Sequence, residues 1–255
     1  MRPNGLKQLA AAGIPAINAW LSSDSSYIAE VLGHCGFDAV TVDLQHGQFG
    51  MDALPSLLQA ISATPAMPWV RSSGNNLAEI NKLLDMGAYG IICPMIETAQ
   101  QAQDLVNATR YAPLGRRSFG PARGLLYGGS DYLKNANDTI LVLAMIETPA
   151  GLENADKILQ VPGLDGIYIG PNDLALSLGI SPSLSWKETA LSEHIPALIK
   201  LCQQHNKYSG IFCSDVEMAS DMQAAGASLV TPGNDIQLLR SEASQRIMQL
   251  KEVRS

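Results

Sequence analysis

Charged side chains directly follow two short apolar runs of this 255-residue chain. Glu147 comes after the run Leu141–Ile146, and Asp173 comes shortly after the run Gly166–Ile169. Two carboxylates that converge repel each other unless a cation or a shared proton lies between them, and carboxylate oxygens suit Mg²⁺ or Mn²⁺. The pair therefore indicates a divalent-metal site. The alternative is that Glu147 caps the following helix and Asp173 starts a short helix at Leu174.

Arg71 and His46 occupy comparable places near the ends of two other apolar runs. A permanent guanidinium charge at the end of a core strand is costly unless an anion meets it. That anion is a carboxylate or enolate ligand, or the side chain of Asp43 in an ion pair. Of the four histidines, His46 alone follows the end of a predicted strand. An imidazole titrates near neutral pH and can act as a general base, although a structural histidine is the alternative.

Other kinds of catalytic site are poorly supported by the sequence. The eight lysines are predicted in helices, in loops or at the start of strands, where none can form a Schiff base in a barrel mouth. No G-x-S-x-G segment marks a nucleophilic serine. The four cysteines form no C-x-x-C pair, and no Cys and His have the spacing of a structural zinc site. Imine, serine and zinc chemistry are therefore disfavoured.

Regular structure must hold these polar residues, and short apolar runs alternate with longer amphipathic segments along the chain. Eight runs have the length and residue types of buried strands: Ala16–Leu21, Ala39–Leu44, Pro68–Arg71, Gly90–Met95, Leu141–Ile146, Gly166–Ile169, Gly210–Cys213 and Ser228–Thr231. Eight strands separated by helices predict an α/β fold, a (β/α)8 TIM barrel whose parallel sheet is buried on both faces. An open doubly wound sheet is the alternative, but no G-x-G-x-x-G follows the first strand.

The barrel prediction places the candidate side chains together. Reactive groups of such barrels lie at the carboxyl ends of the strands and in the loops just after them. Arg71, His46, Glu147 and Asp173 all come at those ends. We therefore expect one site on one rim.

Local signals predict where several helices begin. Three pairs have the spacing of a capping box: Asn76 with Glu79, Thr98 with Gln101, and Ser214 with Glu217. The stretch from Tyr111 to Asn137 is rich in glycine and proline, and long irregular loops in compact domains are usually functional. We interpret it as a lid or a subunit-contact segment.

Composition restricts the partners and the compartment. The chain carries 17 Lys and Arg against 24 Asp and Glu, a formal net charge of -7, and it has no basic run. Neither nucleic acid nor an anionic membrane is therefore an expected partner. An apolar stretch near the N-terminus resembles a signal peptide, but Gly13 and Pro15 interrupt it. We expect one domain over residues 1–255, in a reducing cytoplasm.

An ordered set of motifs resembles the HpcH/HpaI aldolase family, the metal-dependent class II pyruvate aldolases related to 4-hydroxy-2-oxoheptanedioate aldolase and to 2-keto-3-deoxy-sugar-acid aldolases. The motifs span most of the chain: Val42–Gly47, Val70–Arg71, Leu83–Gly87, Pro94–Met95, Ala108–Pro113, Gly115–Arg117, Ile146–Thr148 and Ile169–Leu174. The resemblance implies a barrel of the phosphoenolpyruvate/pyruvate type and reversible cleavage of a 4-hydroxy-2-oxo acid to pyruvate and an aldehyde. It also implies a homo-oligomer, a hexamer built as a trimer of dimers, with exchange of the last helix.

The resemblance implies a role for each matching residue. Glu147 and Asp173 would hold the divalent metal, which is Mg²⁺, Mn²⁺ or Co²⁺. His46 would be the catalytic base, and Arg71 would bind the substrate and stabilise the enolate. The substrate carboxylate would meet the backbone of Asn172, within a substrate-binding turn made of Gly170, Pro171, Asn172 and Asp173.

Asp85 corresponds to the acidic residue that raises the basicity of the catalytic histidine in the family. It precedes a predicted strand, so it is expected at the end of the barrel opposite to His46. We hypothesise that Asp85 reaches His46 of a neighbouring subunit. The alternative is that Asp85 only ends a helix before Gly87.

Two positions depart from the family pattern. Gln45 stands where Glu is usual, and Met145 stands where a Gln often contacts the substrate. Both changes make the pocket less polar, so the reaction type transfers to this chain better than the heptanedioate substrate does. The alternative functions are oxaloacetate decarboxylation or another metal-enolate lyase reaction on the same scaffold, and a non-catalytic barrel that binds a small acid.

Overall fold

The computed structural model describes residues 1–252. Eight parallel strands close into a barrel in sequence order, and β8 pairs with β1. The strands are β1 Ala16–Leu21, β2 Ala39–Asp43, β3 Met67–Arg71, β4 Gly90–Cys93, β5 Leu141–Ile146, β6 Gly166–Ile169, β7 Tyr208–Phe212 and β8 Leu229–Thr231. The predicted (β/α)8 barrel is confirmed.

Helices cover the outside of the barrel and return the chain to the start of each next strand, as parallel neighbours require. Within the described residues they are α1 Gly5–Ala11, α2 Ser26–His34, α3 Leu54–Ser62, α4 Leu77–Asp85, α5 Ala99–Thr109, α6 Ala122–Gly128, α7 Tyr132–Thr139, α8 Pro149–Glu153, α9 Ala155–Leu159, α10 Pro171–Ser177, α11 Leu191–Gln204, α12 Val216–Ala224 and α13 Asp235–Glu252. A short 3₁₀ helix, Trp186–Glu188, precedes α11.

Two strand ends differ from the sequence prediction by two residues, and four others, in β2, β3, β7 and β8, differ by one. β4 stops at Cys93, because Pro94 has no N–H to donate and Met95 adopts a left-handed backbone with a φ of 57°. β7 begins at Tyr208 instead of Gly210, because its first residues pair with the start of β6 at Gly166. The start of β7 is thus set by its pairing partner, which the local sequence does not reveal.

Aromatic rings fill the interior of the barrel. Trp69 lies over Gly90, where an added Cβ would come 2.0 Å from the indole ring. Tyr168 lies in the same way over Gly210, where the corresponding distance is 2.5 Å. Glycines at these positions therefore make room for large side chains. The filled interior confines open space to the rim where the strands end.

Two of the three predicted helix starts are confirmed. The side chains of Asn76 and Thr98 each accept a hydrogen bond from the backbone N–H three residues later. The prediction for Ser214 is wrong, because Asp215 caps α12. A cap needs an acceptor in the extended residue just before the helix, and Asp215 is that residue.

The stretch from Tyr111 to Asn137 contains α6 and most of α7. It lies at the end of the barrel where the strands begin, since Arg123 donates a hydrogen bond to the Met86 oxygen just before β4. Gly128 lets the Tyr132 ring pack closely against α6, where a Cβ would lie 2.5 Å from the ring. The prediction that this stretch is a lid over the site of the same chain is therefore wrong. The subunit-contact role stays a prediction.

The last helix, α13, extends away from its own barrel. Among residues 235–252, only Asp235 is buried, and it accepts hydrogen bonds from the Ser22 and Ser23 N–H groups. Its large apolar side chains are exposed: Ile236, Leu238, Leu239, Ile247, Met248 and Leu250. No helix within residues 1–252 combines the length and the apolar character needed to cross a membrane.

Candidate active site

A cavity of about 500 Å³ opens at the carboxyl ends of the strands. Its lining includes six residues predicted to act in the site: His46, Arg71, Gly170, Pro171, Asn172 and Asp173. Glu147 lies directly beside it, because an added Cβ on the lining residue Gly170 would come 2.7 Å from Glu147 Oε2. The structure therefore brings these predicted residues together on one rim, as the barrel prediction requires.

Arg71 and Asp43 form a buried two-pronged ion pair. They end β3 and β2 and are partners in strand register. Arg71 Nε donates to Asp43 Oδ1 at 2.8 Å, and Nη2 donates to Oδ2 at 2.5 Å. Trp20 completes the arrangement, since its Nε1 donates to Asp43 Oδ2 at 3.1 Å and its ring centre lies 4.8 Å from the guanidinium carbon. The guanidinium orientation is thus fixed, and the ion-pair alternative for Arg71 is confirmed, whereas binding of a substrate anion stays a prediction.

The Asp43 carboxylate also shapes the turn after β2. Its Oδ1 accepts hydrogen bonds from the backbone N–H groups of Gln45 at 3.0 Å and His46 at 3.2 Å. Gly47 makes this turn possible, because an added Cβ would lie 2.2 Å from the Asp43 backbone oxygen. The His46 side chain is exposed at the cavity wall. One carboxylate therefore ties the position of the candidate base to that of Arg71.

The electrostatics of Asp43 favour its charged form. Burial would raise the pKa of Asp43, but the hydrogen bonds and charge of Arg71 and the N–H groups of Trp20 and His46 outweigh burial and hold that pKa below its usual value. The carboxylate is therefore ionised at neutral pH. Asp43 engages Arg71 through Nε and Nη2, so Nη1 is the guanidinium nitrogen left for another anion.

Glu147 is a buried carboxylate with one satisfied oxygen. Oε1 accepts a hydrogen bond from Met95 N–H at 2.8 Å, and Oε2 has no hydrogen-bond partner within residues 1–252. Burial raises the pKa of Glu147, and the charge of Asp173 adds to the rise, although the Met95 N–H and the Arg71 charge act against it. A cation beside Oε2 would relieve both the burial and the repulsion.

Asp173 and Glu147 differ in their local roles. Thr148, not Glu147, caps α8, because the Thr148 side chain accepts from Gly151 N–H. The capping alternative for Glu147 is therefore wrong. Asp173 does lie in the first turn of α10, as its own alternative states, and it also lines the cavity with an exposed side chain. The helix position and a metal-ligand role are compatible.

The donor set fits a hard divalent cation. Glu147 offers a buried unpaired oxygen, and Asp173 offers a second carboxylate whose charge acts on Glu147. No group of three or more His, Cys, Asp or Glu side chains is placed to hold a metal in the part of the chain that the structure describes. A site with two protein carboxylates leaves the other positions to water and substrate, which is the usual arrangement for Mg²⁺.

The structure does not bring Asp85 to this site within one chain. Asp85 ends α4 at the opposite end of the barrel, where its Oδ1 accepts from Arg117 Nη2 at 2.8 Å. Arg117 is itself enclosed by the rings of Tyr111 and Tyr132, at 4.5 and 5.5 Å from the guanidinium carbon. An action of Asp85 on His46 would require a neighbouring subunit, so that role stays a hypothesis.

Sequence reasoning missed three parts of the site. The sequence predicts Asp43 only as a partner of Arg71, yet Asp43 also holds the His46 loop. Trp20 lines the cavity and contacts both members of the ion pair. Met95 presents its N–H to Glu147 from a left-handed backbone. Asp43 ends the strand next to that of Arg71, and this position was the sequence signal for its role. No local sequence signal indicated that the Met95 N–H group binds Glu147.

The two departures from the family pattern have different environments. Met145 lines the cavity and is almost fully buried. Gln45 places its Oε1 in a buried position with no hydrogen-bond partner among the described residues. A glutamate at position 45 would bury a second charge beside the rim, so the neutral amide lowers that cost.

Comparison with known proteins decides the family. A sequence model described as HpcH/HpaI aldolase/citrate lyase matches residues 17–241. The chain belongs to the HpcH/HpaI aldolase/citrate lyase family. The resemblance noted in the sequence is thereby confirmed, and so is the expectation that this protein is a carbon–carbon lyase.

Individual relatives agree with this family. The chain is 42% identical over 235 residues to the hydroxypyruvate/pyruvate aldolase of Rhizorhabdus wittichii, covering 92% of this chain and 94% of the relative. It is 36% identical over 255 residues to the 2-keto-3-deoxy-L-rhamnonate aldolase of Salmonella paratyphi A, covering 99% and 95%. A solved HpcH/HpaI aldolase/citrate lyase family protein from Burkholderia cenocepacia superposes with a TM-score of 0.90 at 31% identity, covering 99% and 100%. Both chain length and barrel architecture are thus shared with the family.

Proposed function

We propose that this protein reversibly cleaves a 4-hydroxy-2-oxo acid to pyruvate and an aldehyde, with a divalent cation held by Glu147 and Asp173. The observation that carries the proposal is the buried, unpaired Glu147 Oε2 beside a cavity that also contains Arg71 and His46. Such an atom is costly unless a ligand completes it. The aldolase names of the relatives support the reaction type.

The cation is Mg²⁺, Mn²⁺ or Co²⁺, each compatible with oxygen ligands. When bound, it supplies a Lewis acid that polarises the 2-oxo group and stabilises negative charge developing there. Asn172 follows Pro171 on the same turn and would present its backbone to the substrate carboxylate. Gly170 allows that turn to approach Glu147 closely, because any larger side chain would fill the space next to Oε2.

Arg71 supplies a fixed positive charge to the reacting oxygen. Asp43 and Trp20 hold its guanidinium, so little reorganisation is needed when the enolate forms. Nη1 is the group left to donate a hydrogen bond to that oxygen. The low pKa of Asp43 keeps the pair ionised throughout the reaction.

His46 moves the proton. In the cleavage direction its imidazole, directly or through a water, accepts the proton of the 4-hydroxyl group. The electron pair of that O–H bond forms the aldehyde carbonyl, the bond between C3 and C4 breaks, and its electron pair stays on the C2–C3 fragment as the enolate. Protonation of C3 then gives pyruvate. In the synthetic direction the same groups deprotonate pyruvate.

The proposal is tested by following pyruvate release from a 4-hydroxy-2-oxo acid after EDTA treatment and after addition of Mg²⁺, Mn²⁺ or Co²⁺. We expect chelation to abolish release and at least one metal to restore it. His46→Ala should lower kcat by about 10³-fold, within the usual range for a general base, and should keep Mn²⁺ affinity measured by titration calorimetry. Glu147→Gln should lose both activity and Mn²⁺ affinity.

Two results would count against these roles. Activity that survives chelation would remove the metal from the reaction. Equal loss of cleavage and Mn²⁺ binding in His46→Ala would remove His46 from the role of base, since the imidazole is not proposed as a ligand.

Decarboxylation of oxaloacetate is the second candidate, because it needs the same grip on a 2-oxo acid and forms the same enolate. It has no 4-hydroxyl proton to remove, so it does not require the His46 base. A His46→Ala variant that retains metal-dependent loss of CO₂ from oxaloacetate while losing aldol cleavage would show that the scaffold supports both. A wild-type protein active on oxaloacetate alone would favour this second reaction.

We also infer that the protein works as a homo-oligomer, a hexamer assembled as a trimer of dimers. The exposed apolar side chains of α13 support this, because such a stripe is costly in water and a second copy can cover it. Exchange of α13 between subunits would do so, and it would place another chain near the rim. Light scattering should give the mass of a hexamer, and deletion of residues 238–252 should lower that mass.

A further inference from the structure

The cavity has two walls of different origin. One wall contains Arg71 and the Gly170–Asp173 turn, which grip the 2-oxo acid in the proposed function. The other comes from the loops after β1, β2 and β8 and from the start of α13: Ser22, Ser23, Asp24, Gln48, Asn234 and Ile236. Five of these six side chains are polar, and none has a part in the chemistry described above.

The strand order decides which part of the substrate meets this second wall. His46, which takes the 4-hydroxyl proton, follows β2, and β2 lies next to β1 in the closed barrel. The carboxylates that hold the cation follow β5 and β6, farther around the ring. A substrate that spans these groups directs the carbons beyond C4, which leave as the aldehyde, toward the loops after β1 and β8.

The second wall offers unused hydrogen-bonding groups. The Ser23 hydroxyl is buried and has no partner within residues 1–252. Asn234 uses its side-chain oxygen to accept from Gln237 N–H, which leaves its amide nitrogen as the spare donor. Gln48 donates to the His46 backbone oxygen at 3.3 Å, so this wall is joined to the loop of the base. A hydroxyl group on the substrate would satisfy the Ser23 and Asn234 groups.

Asp24 adds a negative charge to the same wall. Its side chain is exposed, and it forms no ion pair with any Lys, Arg or His side chain in the described part of the chain. An unpaired carboxylate accepts hydrogen bonds from hydroxyl groups and repels a second anion. The wall therefore discriminates between aldehydes by their charge as well as by their hydrogen-bonding groups.

We propose that Ser23, Asp24 and Asn234 form the aldehyde subsite and select short, uncharged, hydroxylated aldehydes. Aldehydes with a second carboxylate are rejected by Asp24, and purely apolar aldehydes leave the Ser23 and Asn234 groups unsatisfied. Ile236, at the start of α13, gives this wall its apolar surface. The inference rests on the proposed function and names its substrate class.

The test measures kcat/KM for addition of pyruvate to glyceraldehyde, succinic semialdehyde and propanal. The wild-type protein should favour glyceraldehyde. Asp24→Asn should raise the value for succinic semialdehyde about tenfold relative to that for glyceraldehyde, because it removes one charge repulsion. Ser23→Ala should lower the value for glyceraldehyde about fivefold and leave that for propanal nearly unchanged, because only the first loses a hydrogen bond.

Glu30→Gln is the matched control. Glu30 lies on α2, in the same unit of the barrel as Asp24, and it is exposed but does not line the cavity. The variant removes the same charge, so it should leave the preference among the three aldehydes as in the wild type. A change equal to that of Asp24→Asn would assign the effect to net charge and overturn the subsite.

Other outcomes separate the failure of this inference from failure of the proposed function. A wild-type protein that accepts succinic semialdehyde as well as glyceraldehyde, or an Asp24→Asn variant with unchanged preference, overturns the subsite alone. Metal-dependent exchange of the pyruvate methyl protons with D₂O does not involve the aldehyde. Absence of this exchange, together with no product from any aldehyde, overturns the proposed function and this inference with it.

Discussion

The two ends of the barrel bury arginine side chains in different ways. At the end where the strands begin, Arg110 donates to the backbone oxygens of three residues and to Asp165, and all three of its guanidinium nitrogens are engaged. At the other end, Arg71 gives two nitrogens to Asp43 and lines a cavity. Arg110 is a cross-link of the fold, whereas Arg71 keeps a nitrogen for a ligand.

Two carboxylates at these ends also differ in how their oxygens are used. Asp165 is half-buried, and its Oδ2 accepts hydrogen bonds from both Arg110 Nη2 and Val142 N–H. Glu147, at the cavity end, leaves one oxygen without a partner within residues 1–252. A satisfied buried group contributes to stability, and an unsatisfied one costs stability until a ligand completes it. Within the part of the chain that the structure describes, Glu147 Oε2 is therefore the unpaired buried carboxylate oxygen of the cavity end, where a ligand can reach its neighbours.

Conservative replacement of the two arginines should give the largest effects. Arg71→Lys keeps the charge but loses the two-pronged geometry, so kcat/KM for aldol cleavage should fall by about 10³-fold. Arg110→Lys should leave kcat/KM of the folded protein within about threefold and lower the free energy of unfolding by about 3 kcal/mol. Steady-state kinetics gives kcat/KM, and urea unfolding gives the free energy of unfolding, for both variants. Loss of activity in Arg110→Lys without loss of stability would contradict the purely structural role of Arg110.

Asp43 should contribute to stability in a pH-dependent way. Its folded pKa is depressed, so its contribution is present above the unfolded value of about 3.9 and is lost as the pH falls through the lower folded value. Asp43→Asn should lower the free energy of unfolding by about 3 kcal/mol at pH 7. It should also flatten the loss of stability between pH 7 and acidic pH, measured by urea unfolding.

Asp43→Asn should also lower kcat by about 10²-fold, because the Arg71 guanidinium and the His46 loop lose their common anchor. The matched control variant at the other end of the barrel is Asp165→Asn. Asp165→Asn should destabilise the protein without changing kcat of the folded fraction. Equal kcat values for the two variants would contradict the positioning role of Asp43.

The smallest expected effect concerns backbone strain. Met95 and Asn206 both have positive φ, 57° and 53°. Asn206 comes just after the end of α11, where Asn in the left-handed conformation is common, but Met95 follows β4. Met95→Gly should raise the free energy of unfolding by up to about 1 kcal/mol, and Asn206→Gly should change it by less. Urea unfolding checks both, and a loss of stability in Met95→Gly would show that its side-chain packing outweighs the strain.

The barrel could be predicted from the sequence because its signals are local. Val40, Val70 and Ile169 belong to short apolar runs, and a run that is apolar on both faces is buried in a parallel sheet wherever its partners lie. The polar residues that end those runs then fall on one rim by the geometry of the fold. Strand ends were less predictable, since the partner of Tyr208 lies in β6.

The details of the site could be predicted only in part. The sequence indicates Glu147 and Asp173 as a carboxylate pair, but the N–H group that binds Glu147 belongs to Met95, 52 positions earlier in the chain. The use of one Asp43 carboxylate by Arg71, Trp20 and the His46 loop likewise depends on three separate segments. Hydrogen bonds between distant segments have no local sequence signal.

The sequence by itself determined the order of strands and helices, the family, and the set of polar residues on the rim, because hydrophobic period and strand-end position are properties of neighbouring residues. The tertiary structure decided which buried polar atoms are paired and which are left for a ligand. It also placed Asp85 with Arg117, at the end of the barrel away from His46. The physical reason is that satisfaction of a buried charge depends on groups brought together from across the chain.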